Sequence, residues 1–272
     1  MSHPTPPLAS LVPAAGTPVT RRVLVTGAAS GLGAALTAAL RARGDEVLAT
    51  DRTAPAGGLA LDVTDDDAWA EAVAWVEQQW GGLDVLVNNA GIAGGGRVDV
   101  CTIEEWQRLL DVNLLGVVRG SRAFAPLLKR QGGGRIVNIA SLAGLVHPPG
   151  MGSYNAVKAA VVAFSETLSH ELAPYGVGCT VVCPSYFRTN LMQSLSGADT
   201  DVAAKVSALV EQSPLTADQI AEAVLAGIDE GADLVVPDEP ARAAYHLKRT
   251  ERAAYDAEMR RTAARLKDRS DG

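Results

Sequence analysis

The chain has 272 residues, of which 47% are hydrophobic and 20% charged, which is enough for a sizeable core in one large domain or two small ones. A formal net charge of −7 argues against nucleic acid as a general partner. No apolar run reaches the length of a membrane span, and the first residues lack the pattern of a secretory signal, so we expect no integral membrane association.

The three cysteines predict neither a disulfide framework nor a metal site, because their number is odd and none lies in a CxxC pair. Cys179 and Cys183 are four residues apart in the strand-like run GVGCTVVCP, which is too far for a disulfide. We expect them in the core of a cytoplasmic protein, where thiols stay reduced.

Residues 1–20 are rich in proline and small residues and predict a flexible tail, so the folded part begins at Arg21. From there, short apolar runs alternate with helical patterns. The predicted strands are 21–27, 45–51, 58–63, 83–91, 134–141, 176–184 and 233–237. The predicted helices are 32–44, 64–81 with Thr64 as N-cap, 102–131 with a capping box at Thr102 and Glu105, a helix through Tyr154 that ends near Gly176, and 216–231 with a box at Thr216 and Gln219.

This alternation predicts an α/β fold: a single, doubly wound Rossmann-type domain over 21–237 with a parallel seven-stranded sheet. Residues 238–272 are charged and helical in pattern and form a C-terminal extension. In such sheets, ligands bind beyond the carboxyl ends of the strands, where the strand order reverses. The residues that follow each strand are therefore the candidates for a functional site.

The first strand ends in TGAASGLG, which opens a helix. Its glycines allow a tight turn and a close approach of the backbone to a pyrophosphate at the helix N-terminus. Asp51 ends the second strand, 24 residues after Gly27, where a carboxylate can accept hydrogen bonds from both ribose hydroxyls of an adenosine. Each feature alone is also compatible with an ordinary loop.

Tyr154 and Lys158 lie one helical turn apart in YNAVK. The spacing alone favours a tyrosine packed on a lysine stem over an acid/base pair. In an acid/base pair, the lysine cation stabilises the phenolate and lowers its pKa.

Together, TGAASGLG, NNAG at 88–91, Asn113, Ser141 and YNAVK resemble the short-chain dehydrogenase/reductase family over roughly 21–236. Five motifs occur in the family's order, and Ser141 lies at the family's usual 13-residue interval before Tyr154. The resemblance implies a nicotinamide cofactor and a catalytic set of Asn113, Ser141, Tyr154 and Lys158. In that set Tyr154 is the general acid/base, Lys158 tunes it, Ser141 orients the substrate oxygen, and Asn113 kinks its helix and holds a water connecting Lys158 to solvent.

The same resemblance implies which residues bind the cofactor: Gly27, Ser30, Gly31, Leu32, Gly33, Asp51, Asp62, Val63, Asn89, Ala90, Gly91, Tyr154, Lys158, Pro184 and Thr189. Asn88 is expected to bridge strands instead. Asp51 indicates NAD, although Arg52 leaves an NADPH-dependent carbonyl or ketoacyl reductase as an alternative. Ser185 departs from the family's usual glycine after strand six, which puts the backbone beside the nicotinamide in doubt.

Two variable stretches, 142–152 and a mobile lid at 185–214, are expected to recognise a small-molecule alcohol or ketone with an apolar body. The predicted substrate-binding residues are Ser141, His147, Met151, Tyr154 and Tyr186. A non-catalytic dinucleotide-binding redox sensor is the alternative from another class. The long helices at 103–130 and 153–175 carry apolar residues on more than one face and predict a homodimer or homotetramer. Three roles are open for the C-terminal extension, namely packing on a subunit, covering the active site and lying at a membrane surface, and packing on a subunit is favoured.

Overall fold

The computed structural model describes residues 20–270, so the tail predicted over 1–20 lies outside the described residues apart from Thr20. Its centre is a seven-stranded sheet in which every neighbouring pair is parallel. The strands are β1 (Arg22–Thr26), β2 (Glu46–Asp51), β3 (Leu59–Ala60), β4 (Val85–Asn88), β5 (Gly134–Ile139), β6 (Val177–Val182) and β7 (Leu234–Val235). The prediction of a parallel seven-stranded sheet is confirmed.

The strand order is β3-β2-β1-β4-β5-β6-β7. The chain therefore winds outward in one direction from β1 to β3 and in the other direction from β4 to β7. The reversal between β1 and β4 creates a crevice beyond their carboxyl ends, which is where a ligand binds in open α/β sheets. All the predicted site residues that follow a strand lie at this edge of the sheet.

Helices cover both faces of the sheet. They are α1 (Gly31–Ala42), α2 (Asp66–Trp80), α3 (Ile103–Leu110), α4 (Gly116–Gln131), α5 (Ala143–Val146), α6 (Gly152–Leu172), α7 (Thr200–Glu211), α8 (Ala217–Asp229), α9 (Glu239–Thr250) and α10 (Arg252–Ser270). Because strand side chains alternate between faces, Val23 and Val25 pack under α1 and α8, while Leu24 packs on the other side with α2 and α4. None of the helices in the described part of the chain is long and apolar enough to cross a membrane.

Several sequence predictions are confirmed at the level of individual contacts. Thr102 and Glu105 form a complete capping box at α3, and Thr216 and Gln219 form another at α8. The helix through Tyr154 ends in a short 3₁₀ turn closed by Gly176, whose positive φ of 70° caps it. Cys179 and Cys183 are buried free thiols.

Other predictions need correction. Thr64 was expected to cap α2, but Asp65 is the N-cap and accepts from the Asp67 backbone N–H. The Thr64 hydroxyl instead donates to Asp62. The single helix expected over 102–131 is interrupted by a π-helical segment at Asp111–Leu115.

A buried amide network joins the centre of the sheet to the helices on one face. The Asn88 Nδ2 atom donates to Asn138 Oδ1 on β5 at 2.9 Å and to Ser121 Oγ on α4 at 3.3 Å. Asn138 in turn donates to Ser165 Oγ on α6 at 2.9 Å. The expectation that Asn88 bridges strands is therefore confirmed. Buried polar groups need such partners, so the network specifies how β4 and β5 meet α4 and α6.

Candidate active site

The turn between β1 and α1 can only be made by glycine at certain positions. Gly27 and Gly31 have φ values of 66° and 55°, which other residues rarely adopt. At Gly33 a Cβ atom would lie 2.1 Å from the Gly27 carbonyl oxygen, so even alanine would displace the turn. The N–H groups of Ala28 and Ala29 donate within the protein, so an anion would meet the N–H groups at the N-terminus of α1, where Ser30 is the N-cap and Leu32 lies in the first turn.

The turn is fastened to the end of β4. The Asn89 side chain donates to the carbonyl oxygens of Thr26 and Gly27 at 2.8 and 3.2 Å. The backbone N–H groups of Asn89 and Ala90 both donate to the Thr26 hydroxyl at 3.0 Å. Residues from both sides of the topological switch point thus form one rigid edge.

Two carboxylates flank this edge. Asp51, at the end of β2, accepts from the backbone N–H of Ala29 at 3.0 Å and of Arg52 at 2.8 Å. Asp62 accepts from the N–H and hydroxyl of Thr64, and these hydrogen bonds hold the pKa of Asp62 below its usual value. Val63 packs against Gly116: a Cβ atom on Gly116 would lie 2.9 Å from the Val63 side chain.

The π-helical segment places Asn113 where the sequence analysis expected a kink. Asn113 is fully buried, and its side chain pairs with one residue of the loop after β4. Its Oδ1 accepts from the Ile92 N–H at 2.8 Å, and its Nδ2 donates to the Ile92 carbonyl at 2.9 Å. Gly91 packs directly against the same amide. Asn113 therefore fixes the loop that follows β4.

Ser141, Tyr154 and Lys158 converge beyond the end of β5. Ser141 follows that strand, and the other two lie one turn apart in α6. The Ser141 hydroxyl lies close enough to the Tyr154 phenol to lower its pKa, and the Lys158 Nζ atom lies 5.8 Å from the centre of the phenol ring. The Lys158 ammonium is buried and donates to the Ile139 carbonyl at 2.9 Å.

The protein's own groups do not lower the pKa of the phenol. Burial raises the pKa of Tyr154 to about 12, and the hydrogen bond from Ser141 only partly opposes that rise. Burial also lowers the pKa of Lys158 to about 8. Desolvation outweighs the other influences on the phenol, so in the protein alone the pKa of Tyr154 moves opposite to the direction expected from the sequence.

The pH dependence of stability tests the burial of Lys158. Its pKa falls from 10.5 to about 8 on folding, so between these values the unfolded chain binds more protons and the unfolding free energy rises with pH. Below pH 8 the destabilisation is fully present. We expect the unfolding free energy of the wild type minus that of Lys158→Met to increase by up to about 1.4 kcal/mol per pH unit between pH 8 and 10.

The measurement is denaturant unfolding at several pH values, where subtraction of the variant cancels the other titrating groups. Lys205→Met, on α7, is the matched control for the loss of a lysine that is only partly buried. A constant difference between the wild type and Lys158→Met would mean that the Lys158 ammonium is not desolvated.

The loop after β6 contains the remaining predicted cofactor residues. Pro184 accepts from the Leu142 N–H at 2.9 Å. Thr189 caps a 3₁₀ turn at Asn190–Ser194. A Cβ atom on Gly31 would lie only 2.7 Å from the Thr189 hydroxyl oxygen, so Thr189 packs closely against the glycine turn. Ser185, the departure from the family pattern, donates from its N–H and hydroxyl to Asp238 at 3.0 and 2.7 Å. The serine thus ties this loop to the C-terminal extension.

The predicted substrate residues divide into two groups. Met151 is buried, and its sulfur accepts from the Tyr186 hydroxyl at 3.6 Å, so these two side chains face each other across the site. His147 has both ring nitrogens engaged within the protein: Nε2 with the Gly144 carbonyl at 3.1 Å and Nδ1 with Lys248 Nζ at 2.7 Å. The structure therefore gives His147 a structural partner on each side.

Sequence reasoning missed the attachments of the segment 185–214, which was expected to be a mobile lid. Asp199, with its side chain fully buried, caps α7 and accepts from the Arg97 guanidinium at 2.8 and 2.9 Å. The Ser194 hydroxyl accepts from the Ala93 N–H at 2.9 Å, and Glu105 accepts from the Ala198 N–H at 2.7 Å. These pairs are 93–102 residues apart in sequence, and no local pattern predicts them.

The edge of the sheet fits a nicotinamide dinucleotide. The glycine turn leaves a space that a Cβ would fill, the helix N-terminus favours a pyrophosphate, and a carboxylate ends β2. A fold and site of this kind define the class of dinucleotide-dependent oxidoreductases.

Comparison with known proteins gives the family. The family model for short chain dehydrogenases matches residues 21–200. The chain is 35% identical over 244 residues to the 2-(R)-hydroxypropyl-CoM dehydrogenase of Xanthobacter autotrophicus, covering 80% of this chain and 97% of that protein. The chain belongs to the short-chain dehydrogenase/reductase family and is an oxidoreductase of alcohol or carbonyl groups.

Solved structures agree with this assignment. A short-chain dehydrogenase/reductase from Burkholderia phymatum in complex with NAD superposes with a TM-score of 0.80 at 26% identity, covering 86% of this chain and 95% of that one. A short chain dehydrogenase from Burkholderia cenocepacia in complex with NADP gives a TM-score of 0.75 at 28% identity, covering 88% and 97%. A nicotinamide dinucleotide is therefore the cofactor, and the relatives include both forms.

Proposed function

We propose that the protein is an NAD-dependent oxidoreductase that interconverts a secondary alcohol and a ketone on an apolar small molecule. The observation that carries this proposal is the convergence of Ser141, Tyr154 and Lys158 beside the carboxyl ends of β4 and β5. A redox sensor without activity would not need a phenol, a hydroxyl and a buried ammonium together at this point.

Tyr154 acts as the general acid/base. It takes the hydroxyl proton in oxidation and returns it to the carbonyl oxygen in reduction, and the Ser141 hydroxyl holds that oxygen. With a pKa of about 12 the phenol holds its proton at neutral pH and has one to give in reduction, whereas its use as a base requires additional positive charge. Lys158 supplies one such charge from within the fold, and the oxidised cofactor, when bound, supplies a second and accepts the hydride.

Lys158 is well placed for this role because it does not move to reach the site. Its ammonium is held by the Ile139 carbonyl at the end of β5, immediately before the segment that carries Ser141. A pKa of about 8 keeps the lysine mostly charged at neutral pH. The charge is thus present and fixed, which is the condition for electrostatic preorganisation.

Asp51 supports NAD over NADP. Both its oxygens are oriented by backbone N–H groups of Ala29 and Arg52, and its position at the end of β2 suits an adenosine ribose. Gly27, Ser30, Gly31, Leu32 and Gly33 would hold the pyrophosphate. The remaining contacts would come from Asp62 and Val63 at the adenine, Asn89, Ala90 and Gly91 along the sheet edge, and Pro184 and Thr189 at the nicotinamide.

An apolar substrate is supported by the side chains that enclose the reaction centre. Met151 and Tyr186 are in contact, and neither side chain is charged at neutral pH, since burial raises the pKa of Tyr186 further above its usual value. Leu145 and Val146, which precede Met151 in the predicted substrate stretch 142–152, are buried as well. Arg97 is already paired with Asp199, and Lys248 donates to the Leu145 carbonyl.

The test is steady-state turnover of a panel of secondary alcohols and ketones, from aliphatic to alicyclic and steroid-like, with NAD and NADP in parallel. We expect turnover of apolar members with NAD. Binding of NADH without turnover of any member would instead support a non-catalytic dinucleotide-binding protein.

We also propose that the protein forms a homodimer or homotetramer. Ile103, Leu110 and Leu115 are 66%, 36% and 39% exposed on α3 and the π-helical segment, although Leu109 and Asn113 of the same elements are buried. Light scattering at micromolar concentration should give a multiple of the monomer mass. Leu115→Glu should reduce that mass, whereas Leu209→Glu on α7, 42% exposed, should not. A monomer mass for the wild type would contradict this proposal.

A further inference from the structure

The one-turn helix α5 lies between Ser141 and Met151 in the chain. Within the helix, few N–H groups are available to donate hydrogen bonds to its carbonyl oxygens. A helix leaves its last four carbonyls without intrahelical donors, and α5 ends at His147, whose φ of 56° prevents a further turn. The His147 N–H reaches the Ala143 carbonyl at 3.2 Å. The carbonyls of Gly144, Leu145 and Val146 therefore depend on side chains.

Two of these side chains come from the C-terminal extension, about 100 residues later. Lys248 on α9 donates to the Leu145 carbonyl at 2.5 Å, and Tyr255 on α10 donates its hydroxyl to the Val146 carbonyl. The third, His147, turns its Nε2 to the Gly144 carbonyl while its Nδ1 accepts from Lys248. Lys248 thus holds one carbonyl directly and a second one through the imidazole.

Apolar contacts reinforce these hydrogen bonds. Tyr255 is 5% exposed and packs with Leu145 and Val146 in one buried cluster. Further along α10, Leu266 packs against Gly150: a Cβ atom on that glycine would lie 3.0 Å from Leu266 Cδ1 and 3.2 Å from Val202 Cγ2 of α7. The extension therefore touches both the segment 142–150 and the helix within 185–214.

The other end of α9 is fixed at the opposite side of the site. Asp238, 4% exposed, caps α9 through the Ala241 N–H at 2.9 Å and also accepts the two hydrogen bonds from Ser185 described above. A single helix thus connects the loop after β6 with the end of α5. These are the two segments expected to contact the nicotinamide and the substrate.

We propose that the C-terminal extension positions the substrate-binding wall of its own chain, with Lys248 and Tyr255 as positioning residues that hold the carbonyls of α5. Neither residue touches the reacting atoms. Their effect passes through the backbone of 142–150 to Ser141 and Met151. This proposal rests on the proposed function only for its kinetic consequence, because the ordering of α5 is a property of the fold.

The experiment compares the wild type with Tyr255→Phe and with the double variant Tyr255→Phe/Lys248→Met, which keep the ring and the aliphatic stem. Tyr245→Phe is the matched control: Tyr245 lies on α9, and no hydrogen bond of its hydroxyl is found in the described part of the chain. The readouts are hydrogen–deuterium exchange of the amides in 142–150, and KM and kcat for the best alcohol of the panel.

We expect exchange in 142–150 to accelerate about tenfold or more in the double variant, since the loss of one buried hydrogen bond shifts a local equilibrium by about that factor. KM for the alcohol should rise several-fold, while KM for NAD changes less than about twofold. Tyr245→Phe should leave all three quantities unchanged. Unchanged exchange in Tyr255→Phe and in the double variant would overturn the proposal, even if the wild type turns over no alcohol of the panel.

Faster exchange spread evenly over the whole chain would also count against the proposal, because such a result would show that the extension stabilises the fold in general. If the double variant does not fold, Tyr255→Phe alone decides by the same criteria. A rise in KM for NAD alone would assign the extension to the cofactor side and reject the role proposed for α5.

Discussion

Tyr154→Phe should reduce kcat by about 10²–10⁴-fold, the usual effect of removing one general acid/base. The phenolic proton is the only part of the ring that the proposed reaction needs, and phenylalanine keeps the ring on α6 beside Lys158. NADH binding, followed by fluorescence titration, should stay close to that of the wild type. The measurement is kcat with the best alcohol at saturating NAD.

The control is Tyr175→Phe, which removes a hydroxyl from a tyrosine that is 46% exposed just beyond the same helix. It should leave kcat unchanged. Retention of more than a few per cent of kcat by Tyr154→Phe would show that another group transfers the proton, and Ser141 would then be the next group to replace.

Asp51 should make NAD strongly preferred over NADP. A 2′-phosphate brings like charge within contact distance of the Asp51 carboxylate and offers it no donor. Two unit charges 4 Å apart repel by about 4 kcal/mol at an effective dielectric of about 20, and solvent at this half-buried site together with Arg52 reduces that value. In Asp51→Ala we expect the ratio of kcat/KM for NAD to that for NADP to fall by at least about tenfold.

Asp51→Asn separates charge from shape. The Asp51 carboxylate also holds the Ala29 N–H of the glycine turn, so alanine removes both the charge and this support. Asparagine keeps an acceptor of the same size. If charge sets the preference, Asp51→Asn admits NADP and loses less NAD binding than alanine. Equal use of both cofactors by the wild type would mean that Asp51 does not face the ribose.

The sequence was sufficient for the features that rest on local pattern. Buried strands appear as short apolar runs, and the capping boxes at Thr102 and Thr216 mark helix starts. The glycine turn and the Tyr154–Lys158 spacing were visible because their geometry is set within one or two turns of chain. The error at Thr64 shows the limit of such reasoning, since two adjacent residues were both good N-caps and Asp65 took the position.

Features that depend on distant residues were not predictable in this way. Asp199 meets Arg97 across 102 residues, and Lys248 meets Leu145 across 103. In each case the residue looks like an ordinary surface charge in its own stretch of sequence. The consequence of Ser185 was equally hidden, because its partner Asp238 lies after β7. Long-range polar pairs of this kind become visible only when the sheet has brought their strands together.

The π-helical segment also changes how the face of the helix over 103–131 must be assigned. A π turn accommodates one residue more than an α turn, and each residue of an α-helix turns the chain by about 100°. A continuous helical wheel drawn from Ile103 to Gln131 therefore misassigns every residue after Leu115 by about that angle. Anyone redesigning the outer surface of α4 should draw two wheels, one on each side of Asn113. Deleting one residue within 111–115 should turn the π turn into an α turn and leave the faces of α4 where they are, whereas deleting one residue within α4 should rotate all that follows by about 100°.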